Sequence, residues 1–387
     1  MKALLPLTAL AIGAFAIGTT EFAPMGLLTV IAMDLKITIP MAGLIVSAYA
    51  IGVLVGVPLL TLTTSKLSRK SLLLLLMAIF TIGNLLSAIA VSYGNLILAR
   101  IFTSLCHGPF FGVGAIVAAS LVPENRRASA VAAMFMGLTI ANIGGVPLAT
   151  WIGQTVGWRT SFYGIAAFGA LTLVILQLGL PKMPKALPID IRKEVSALRR
   201  PAVLIALATT VLGAGAMFTV YTYITPILQF DTQVTGPQIT GILSIYGLAL
   251  TIGNYIGGKF ADRALDKTLV IVLGAITALL VLFSFMMRVP IAATTTIFLW
   301  GIATFALVPA LQTRIMQVAA DAPNLASSLN IGAFNLGNAM GAVLGGAVLS
   351  TGFGFSVIPL VGAVVSLAAL GLVLTSARSH RRIQLPD

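Results

Sequence analysis

Charge is what this chain has least of. Asp, Glu, Lys and Arg make up 9% of its 387 residues, against roughly 25% in a soluble globular domain. Acid is scarcer still, with ten Asp and Glu against 23 Lys and Arg. A single cysteine, Cys106, excludes an intrachain disulfide, and with two histidines it leaves too few ligands for a structural zinc site. The apolar runs hold no paired carboxylates, metal-ligand cluster or nucleotide-binding loop, which argues against an enzyme and against a bound metal or cofactor.

What is present is hydrocarbon. Hydrophobic residues reach 58% and the mean hydropathy is +1.06. The apolar runs are about 20 residues long and apolar all round, so they read as membrane-spanning helices. A barrel would alternate over segments of about ten residues. Punctuation by Gly, Pro and charge places twelve spans, near 4–32, 40–63, 71–92, 95–121, 129–154 and 160–181, then 202–226, 238–260, 268–287, 291–316, 327–350 and 356–377. Lys2 followed by an apolar run imitates a signal peptide. The run continues to Met33, too long for a signal core, so a retained first span is expected.

The net charge of +13 would suggest nucleic acid in a soluble protein. Here the basic residues sit between apolar runs, which is the pattern of membrane orientation and requires no nucleic-acid partner. With the N-terminus inside, nineteen Lys and Arg fall in inner segments and three (Lys36, Arg159 and Arg288) in outer ones. Both termini are therefore expected in the cytoplasm. The one long polar stretch, 182–201, joins residues 1–181 to 202–387, and Ile191, Val195 and Leu198 recur in it at the spacing of a helix lying on the membrane surface.

The chain is written twice. Ser47-Ala48-Tyr49 recurs as Ser244-Ile245-Tyr246, and Gly56 as Gly253, at an offset of 197. Ala128-Ser129 recurs as Ala326-Ser327 at 198. Two parallel six-helix bundles predict a secondary transporter that rocks about a site at the membrane midplane. The sequence also resembles the major facilitator superfamily over nearly its full length, and within it the bacterial sugar- and purine-efflux permeases among the drug:proton antiporters. The residues that carry the likeness are Thr19-Thr20-Glu21-Phe22-Ala23-Pro24-Met25-Gly26-Leu27-Leu28, Arg100 with His107-Gly108, Gly144-Gly145-Val146-Pro147, and Gly157-Trp158-Arg159-Thr160-Ser161-Phe162. The family's loop motif, G-x-x-x-D-R-x-G-R-R, is degraded after span two. Ser65 stands where Asp is expected, although Lys66, Arg69 and Lys70 keep the charge. Gly258, Asp262, Arg263 and Lys267 preserve it after span eight. The resemblance implies a monomeric carrier in the bacterial inner membrane, exchanging protons for a small solute, with Lys66, Arg69, Lys70, Asp262 and Arg263 in gating.

Glu21 is the one acid placed inside a span. A carboxylate in hydrocarbon costs several kcal/mol, about 3 on insertion scales, so it needs a cavity, a partner or a proton. Pro24 removes a helix hydrogen bond one turn later. His107 and Arg100 are the other titratable groups within spans, seven residues apart on similar faces of span four. Rise per residue puts Glu21 and His107 at similar depth, with Arg100 nearer the outer mouth of the cavity. These three are the candidates for carrying protons, and the resemblance links an Arg at this position to proton movement. Glu21, Asn142, Tyr221, Tyr223, Trp300, Gln312, Asn335 and Asn338 are the candidates for contacting substrate. Gly137, Gly144 and Gly145 in span five are expected to let helices approach closely, and Pro147 to bend that span.

The reading is therefore an all-α membrane protein of twelve helices, a proton-coupled exporter of a small organic solute or drug. Importing symport, facilitated import and a non-transporting sensor are the alternatives. If the degraded loop motif is unneeded, Ser65→Asp will leave the transport rate and its pH dependence unchanged in vesicles. A large change in either shows that the serine is itself required.

Overall fold

The structure is a computed structural model, and it describes residues 4–64, 66–181, 183, 200–319 and 323–383. Ser65 and nearly all of 182–201, including the expected surface helix, lie outside the described residues. What is described is helical almost throughout. The elements are α1 (Leu4–Gly26), α2 (Leu28–Asp34), α3 (Ile39–Thr63), α4 (Arg69–Ala88), α5 (Tyr93–Ser104), α6 (His107–Ser120), α7 (Arg127–Ile140), α8 (Val146–Ile152) and α9 (Trp158–Gly179). After them come α10 (Pro201–Tyr221), α11 (Gly236–Met286), α12 (Pro290–Val318), α13 (Pro323–Ser350) and α14 (Val357–Ile383).

Among the described residues, ten helical stretches are long and apolar enough to cross a membrane. Two of them, Ser129–Gly179 and Gly236–Met286, run for 51 residues. At 1.5 Å per residue each is about 77 Å long, more than twice a hydrocarbon core of about 30 Å. Each breaks near its middle, so each supplies two crossings and the chain makes twelve. The first breaks at Gly157, whose φ of +119° suits only glycine comfortably. The second breaks at Ala264 (φ −158°, ψ 76°).

A loop was expected between spans eight and nine, and the helix breaks inside that stretch, at Ala264, with helical residues close on either side. Residues 259–267 contain no Gly or Pro and are rich in Ala, Leu, Lys and Arg, which hold helix well. At the corresponding place in the first half, the Ser68 side chain accepts from the Ser71 N–H and caps a new helix.

The chain divides into two compact units, Met1–Ile189 with Gly236–Ser244, and Asp190–Thr235 with Ile245–Asp387. In the first, α1 packs on α7 and α9, α3 on α5, and α4 on α9. In the second, α10 packs along α13 and α14. The close approaches fall where small residues were expected. A side chain on Gly137 would strike the backbone of Ala11 and Phe15, and one on Gly145 the side chains of Thr19 and Phe15. A π-helical segment, Ala141–Gly145, precedes Pro147, so span five departs from regular α-helical geometry there.

These crossings also correct the repeat. Gly56 meets Leu105 as Gly253 meets Ile302, an offset of 197 for the second and fourth spans of each half. Gly137 meets Ala11 and Phe15 as Gly337 meets Val211 and Gly215, an offset of 200 for the first and fifth. The single offset near 197–198 therefore holds for only part of the fold. The three-residue difference is absorbed in connections, where added length is tolerated.

One polar knot ties the ends of three helices. Asp34 Oδ2 accepts from Trp158 Nε1 at 3.0 Å and from Arg159 at 2.5 Å, while Arg159 also donates to the Ala90 carbonyl at 2.8 Å. The hydrogen bond from Arg159, and less strongly that from Trp158, holds the Asp34 carboxyl below its ordinary range. A carboxylate whose folded pKa is lowered stabilises the fold above its unfolded pKa, and the contribution disappears as pH falls through the folded value. Asp34→Asn will therefore lower the thermal midpoint at neutral pH, by a deficit that shrinks as pH drops below the ordinary carboxylate range. A deficit independent of pH would show that the charge is irrelevant there.

Candidate functional site

Pro24 lies inside α1 and has no N–H, so the carbonyl four residues back, that of Thr20, lacks its helical donor. Arg100 supplies one. Its Nη2 donates to the Thr20 carbonyl at 2.7 Å and its Nη1 to the Thr20 hydroxyl at 2.9 Å. The hydroxyl in turn donates to Asn84 Oδ1 at 2.6 Å, and Asn84 Nδ2 donates to the Phe80 carbonyl at 2.9 Å. Arg100 is wholly buried. Its guanidinium lies 4.2 Å from the Tyr49 ring centroid and 5.6 Å from that of Phe162, and aromatic faces attract a desolvated cation. Its Nε has no hydrogen-bond partner among the described residues.

His107 opens α6 just past a break that follows Ser104. Its Nδ1 meets the Tyr49 hydroxyl at 3.2 Å, which leaves Nε2 facing the Glu21 carboxylate, 4.0 Å from Oε2. That separation exceeds a direct hydrogen bond, and a small rotation or one bridging water would join the two groups. Tyr49 thus touches both basic residues, one by its ring and one by its hydroxyl. Glu21, Arg100, His107 and Tyr49 form one buried quartet contributed by α1, α5, α6 and α3.

The sequence had placed Glu21 and His107 at matching depth, and the structure puts them side by side. It had placed Arg100 nearer an outer mouth. The guanidinium instead reaches Thr20, the neighbour of Glu21, because the carbonyl freed by Pro24 lies there. Tyr49 and Asn84 were missed as site residues. The signal for Tyr49 was its recurrence as Tyr246, and for Asn84 it was an amide in an otherwise apolar span.

The substrate candidates separate into engaged and free groups. Tyr223 donates to the Ala342 carbonyl at 2.7 Å and joins the end of α10 to α13. Gln312 is held by Asn330 at 2.8 Å and Ser327 at 2.6 Å, with Thr210 closing the network onto Asn330 at 2.6 Å. Both therefore serve packing here. Asn142 and Asn335 donate to the carbonyls of Leu138 and Ile331 in their own helices. The Oδ1 atoms of Asn142, Asn335 and Asn338 are buried without a partner among the described residues, as is Trp300 Nε1. Tyr221 and Trp300 flank Tyr246, with ring centroids at 4.8 and 5.3 Å from it.

The gating candidates are likewise unequal. Lys70 donates to the carbonyls of Gln177 and Leu180 at 2.8 and 2.6 Å, satisfying the end of α9. Lys66, Asp262 and Arg263 are exposed, and Arg69 is half-buried. The ion pair in this region of the second unit is one the sequence did not single out, Arg314 to Asp266 at 2.5 Å.

A family model for the Major Facilitator Superfamily matches residues 10–329. The inner membrane transport protein YdhP of Escherichia coli K12 is 56% identical over 380 residues, covering 98% of each chain. A probable sugar efflux transporter of Mannheimia succiniciproducens is 31% identical, over 93% of this chain and 91% of its own. Among solved structures, an inward-facing, unoccupied bacterial homologue of the human lysosomal transporter Spinster superposes with a TM-score of 0.78. It covers 100% of this chain and 99% of its own at 15% identity.

Arg100→Met keeps the bulk of the side chain and removes both donors, leaving the Thr20 carbonyl unpaired. An unmet buried acceptor costs about 1–3 kcal/mol, so the midpoint of unfolding in detergent will fall accordingly. An unchanged midpoint would show that Thr20 finds another donor.

Proposed function

The chain belongs to the Major Facilitator Superfamily, and from that membership together with the buried quartet we propose that it is a proton-coupled exporter of a small organic solute. That it is a membrane transporter of this superfamily follows from the family itself. The coupling, the direction and the placement in a bacterial inner membrane with both termini in the cytoplasm are our reading. The observation that carries it is the carboxylate of Glu21, buried in a span, beside the one imidazole and the one guanidinium of the same buried cluster.

In this reading the proton-carrying group is Glu21. Ionised, it balances the buried charge of Arg100, which is fixed on Thr20. Protonated, it leaves that charge uncompensated, and the balance of the site changes by one unit. At 4.0 Å, His107 Nε2 is placed to receive or pass the proton, and Tyr49 at Nδ1 holds the ring in the orientation that presents Nε2. A change of one charge in a low-dielectric interior is a large electrostatic perturbation, enough to favour one of two conformations of a carrier. Alternating access then follows: a proton taken up from outside accompanies release of solute, and its loss inside resets the site.

Glu21→Gln keeps the shape and removes the titration. In proteoliposomes the variant will lose solute efflux driven by a pH gradient, while keeping the parent's monodispersity and melting midpoint in detergent. Full gradient-driven efflux by the folded variant would rule out Glu21 as the coupling group. Accumulation of solute along the proton gradient by the parent would replace export by symport.

A further inference from the structure

A second polar residue takes part in holding Arg100, and the direction of its hydrogen bonds gives its role. A guanidinium can only donate, so at 2.9 Å the Thr20 hydroxyl accepts from Arg100 Nη1 and must send its own hydrogen elsewhere. Threonines in these helices commonly send it to the carbonyl four residues back, as Thr19, Thr81, Thr103, Thr150 and Thr172 do. Thr20 does not. Its hydrogen goes to Asn84 Oδ1 on α4, at 2.6 Å. The amide is fixed in turn, because Nδ2 donates to the Phe80 carbonyl at 2.9 Å and so turns Oδ1 towards Thr20. Thr20, Asn84 and Arg100 are all fully buried, away from competing water. The helix α4 packs on α9 and α5. Asn84 is brought to the site beside Gly83, where a side chain would strike Thr103, one turn along α5 from Arg100.

We propose that Asn84 is a positioning residue for Glu21, acting through the Thr20 hydroxyl and Arg100. The proposal rests on the coupling reading above and deepens it by naming what keeps the guanidinium in place. With Asn84 present, the Thr20 hydroxyl presents a lone pair to Nη1, and the guanidinium is held at two points. Without it, the hydroxyl turns to the carbonyl of Ala16, as Thr19 turns to Phe15, and one of the two points is lost. Arg100 then shifts relative to Glu21, whose charge it balances. An amide serves here without adding a charge. Aspartate has the same shape, but its carboxylate would share Arg100 with Glu21. The other titratable groups at the site are Tyr49 of α3, Cys106 beside it, and His107 of α6. The remaining ionisable residues of the helices packed here lie at helix ends or on the surface. They are Arg69 and Lys70 on α4, Tyr93 on α5, Arg127 on α7, and Arg159 and Tyr163 on α9.

The test is infrared pH-difference spectroscopy of the purified full chain in detergent, which needs no solute. The carbonyl band of a protonated carboxyl that disappears in Glu21→Gln belongs to Glu21, and its intensity against pH gives the midpoint. Asn84→Leu is expected to move that midpoint by about half to one pH unit, the worth of one hydrogen bond. Thr20→Val is expected to move it comparably. The double variant is expected to move it no further than Thr20→Val alone, because Asn84 acts through that hydroxyl. A side chain that merely packs would leave the midpoint in place. An unmoved midpoint in folded Asn84→Leu, shifts that add in the double variant, or a parent without a titrating Glu21 band would overturn the proposal. If Asn84→Leu does not melt as the parent does, Asn84→Ala carries the same expectation and the same refutation. Gradient-driven efflux, measured separately, distinguishes this role from the coupling itself. Full efflux by Glu21→Gln, with a moved midpoint in Asn84→Leu, removes the coupling and leaves the positioning. Lost efflux by Glu21→Gln, with an unmoved midpoint in Asn84→Leu, removes the positioning and leaves the coupling.

Discussion

The buried charged cluster of the first half depends on a hydrogen bond that a proline makes available. Without Pro24, the Thr20 carbonyl would be spent within its own helix, and a guanidinium would have no fixed acceptor at that place. With it, Arg100 is held by two donors on one residue, its flat face rests on Tyr49, and Asn84 completes the chain through the Thr20 hydroxyl. A buried cation that bonds to backbone and hydroxyl remains fixed whether or not the neighbouring carboxylate carries a proton. In the proposed mechanism, the charge of Glu21 changes against that constant background.

The second half treats the same positions differently. At those positions it has neither the acid nor the base, but the phenol of Tyr221, the alkyl chain of Ile297 and the hydroxyl of Thr304. Its satisfied polar groups, Gln312, Asn330, Thr210 and Ser327, form a closed network that holds α10, α12 and α13 together. Among the described residues, its buried side-chain atoms without a partner lie on Thr222, Thr232, Tyr246, Trp300, Asn335 and Asn338. A buried polar atom with no partner is destabilising, and ordered water, an ion or a ligand can supply the missing bond.

Much of this was legible in the sequence, for physical reasons that vary from residue to residue. The spans were readable because hydrocarbon imposes a length and excludes charge. Glu21 stood out because it breaks that exclusion, and the sides of the small residues at Gly137 and Gly145 that face neighbouring helices were implied by their lack of a Cβ. Arg100's destination was not readable, because a side chain of that reach can go up or down its helix and the deciding carbonyl belongs to another span. Tyr49 was hidden among apolar neighbours, since a tyrosine in a span is usually packing. The shortness of the break in α11 was not readable, because Asp262, Arg263 and Asp266 suggest a longer loop in water, while helix propensity holds the residues on either side of Ala264. Gln312 and Asn142 look alike in sequence, and only the structure shows that Gln312 is tied to another helix while Asn142 bonds within its own.

The two registers have a meaning of their own. Helix crossings behave as rulers: where backbones touch through a glycine, a single inserted residue would turn every contact by about 100° around the axis. Connections have no such constraint. If the halves descend from one duplicated segment, then three residues were gained or lost where nothing was touching, and none where something was. A comparison of the copies by one fixed shift would set Glu21 against Phe218 and conceal that acid and phenol are heirs to the same place.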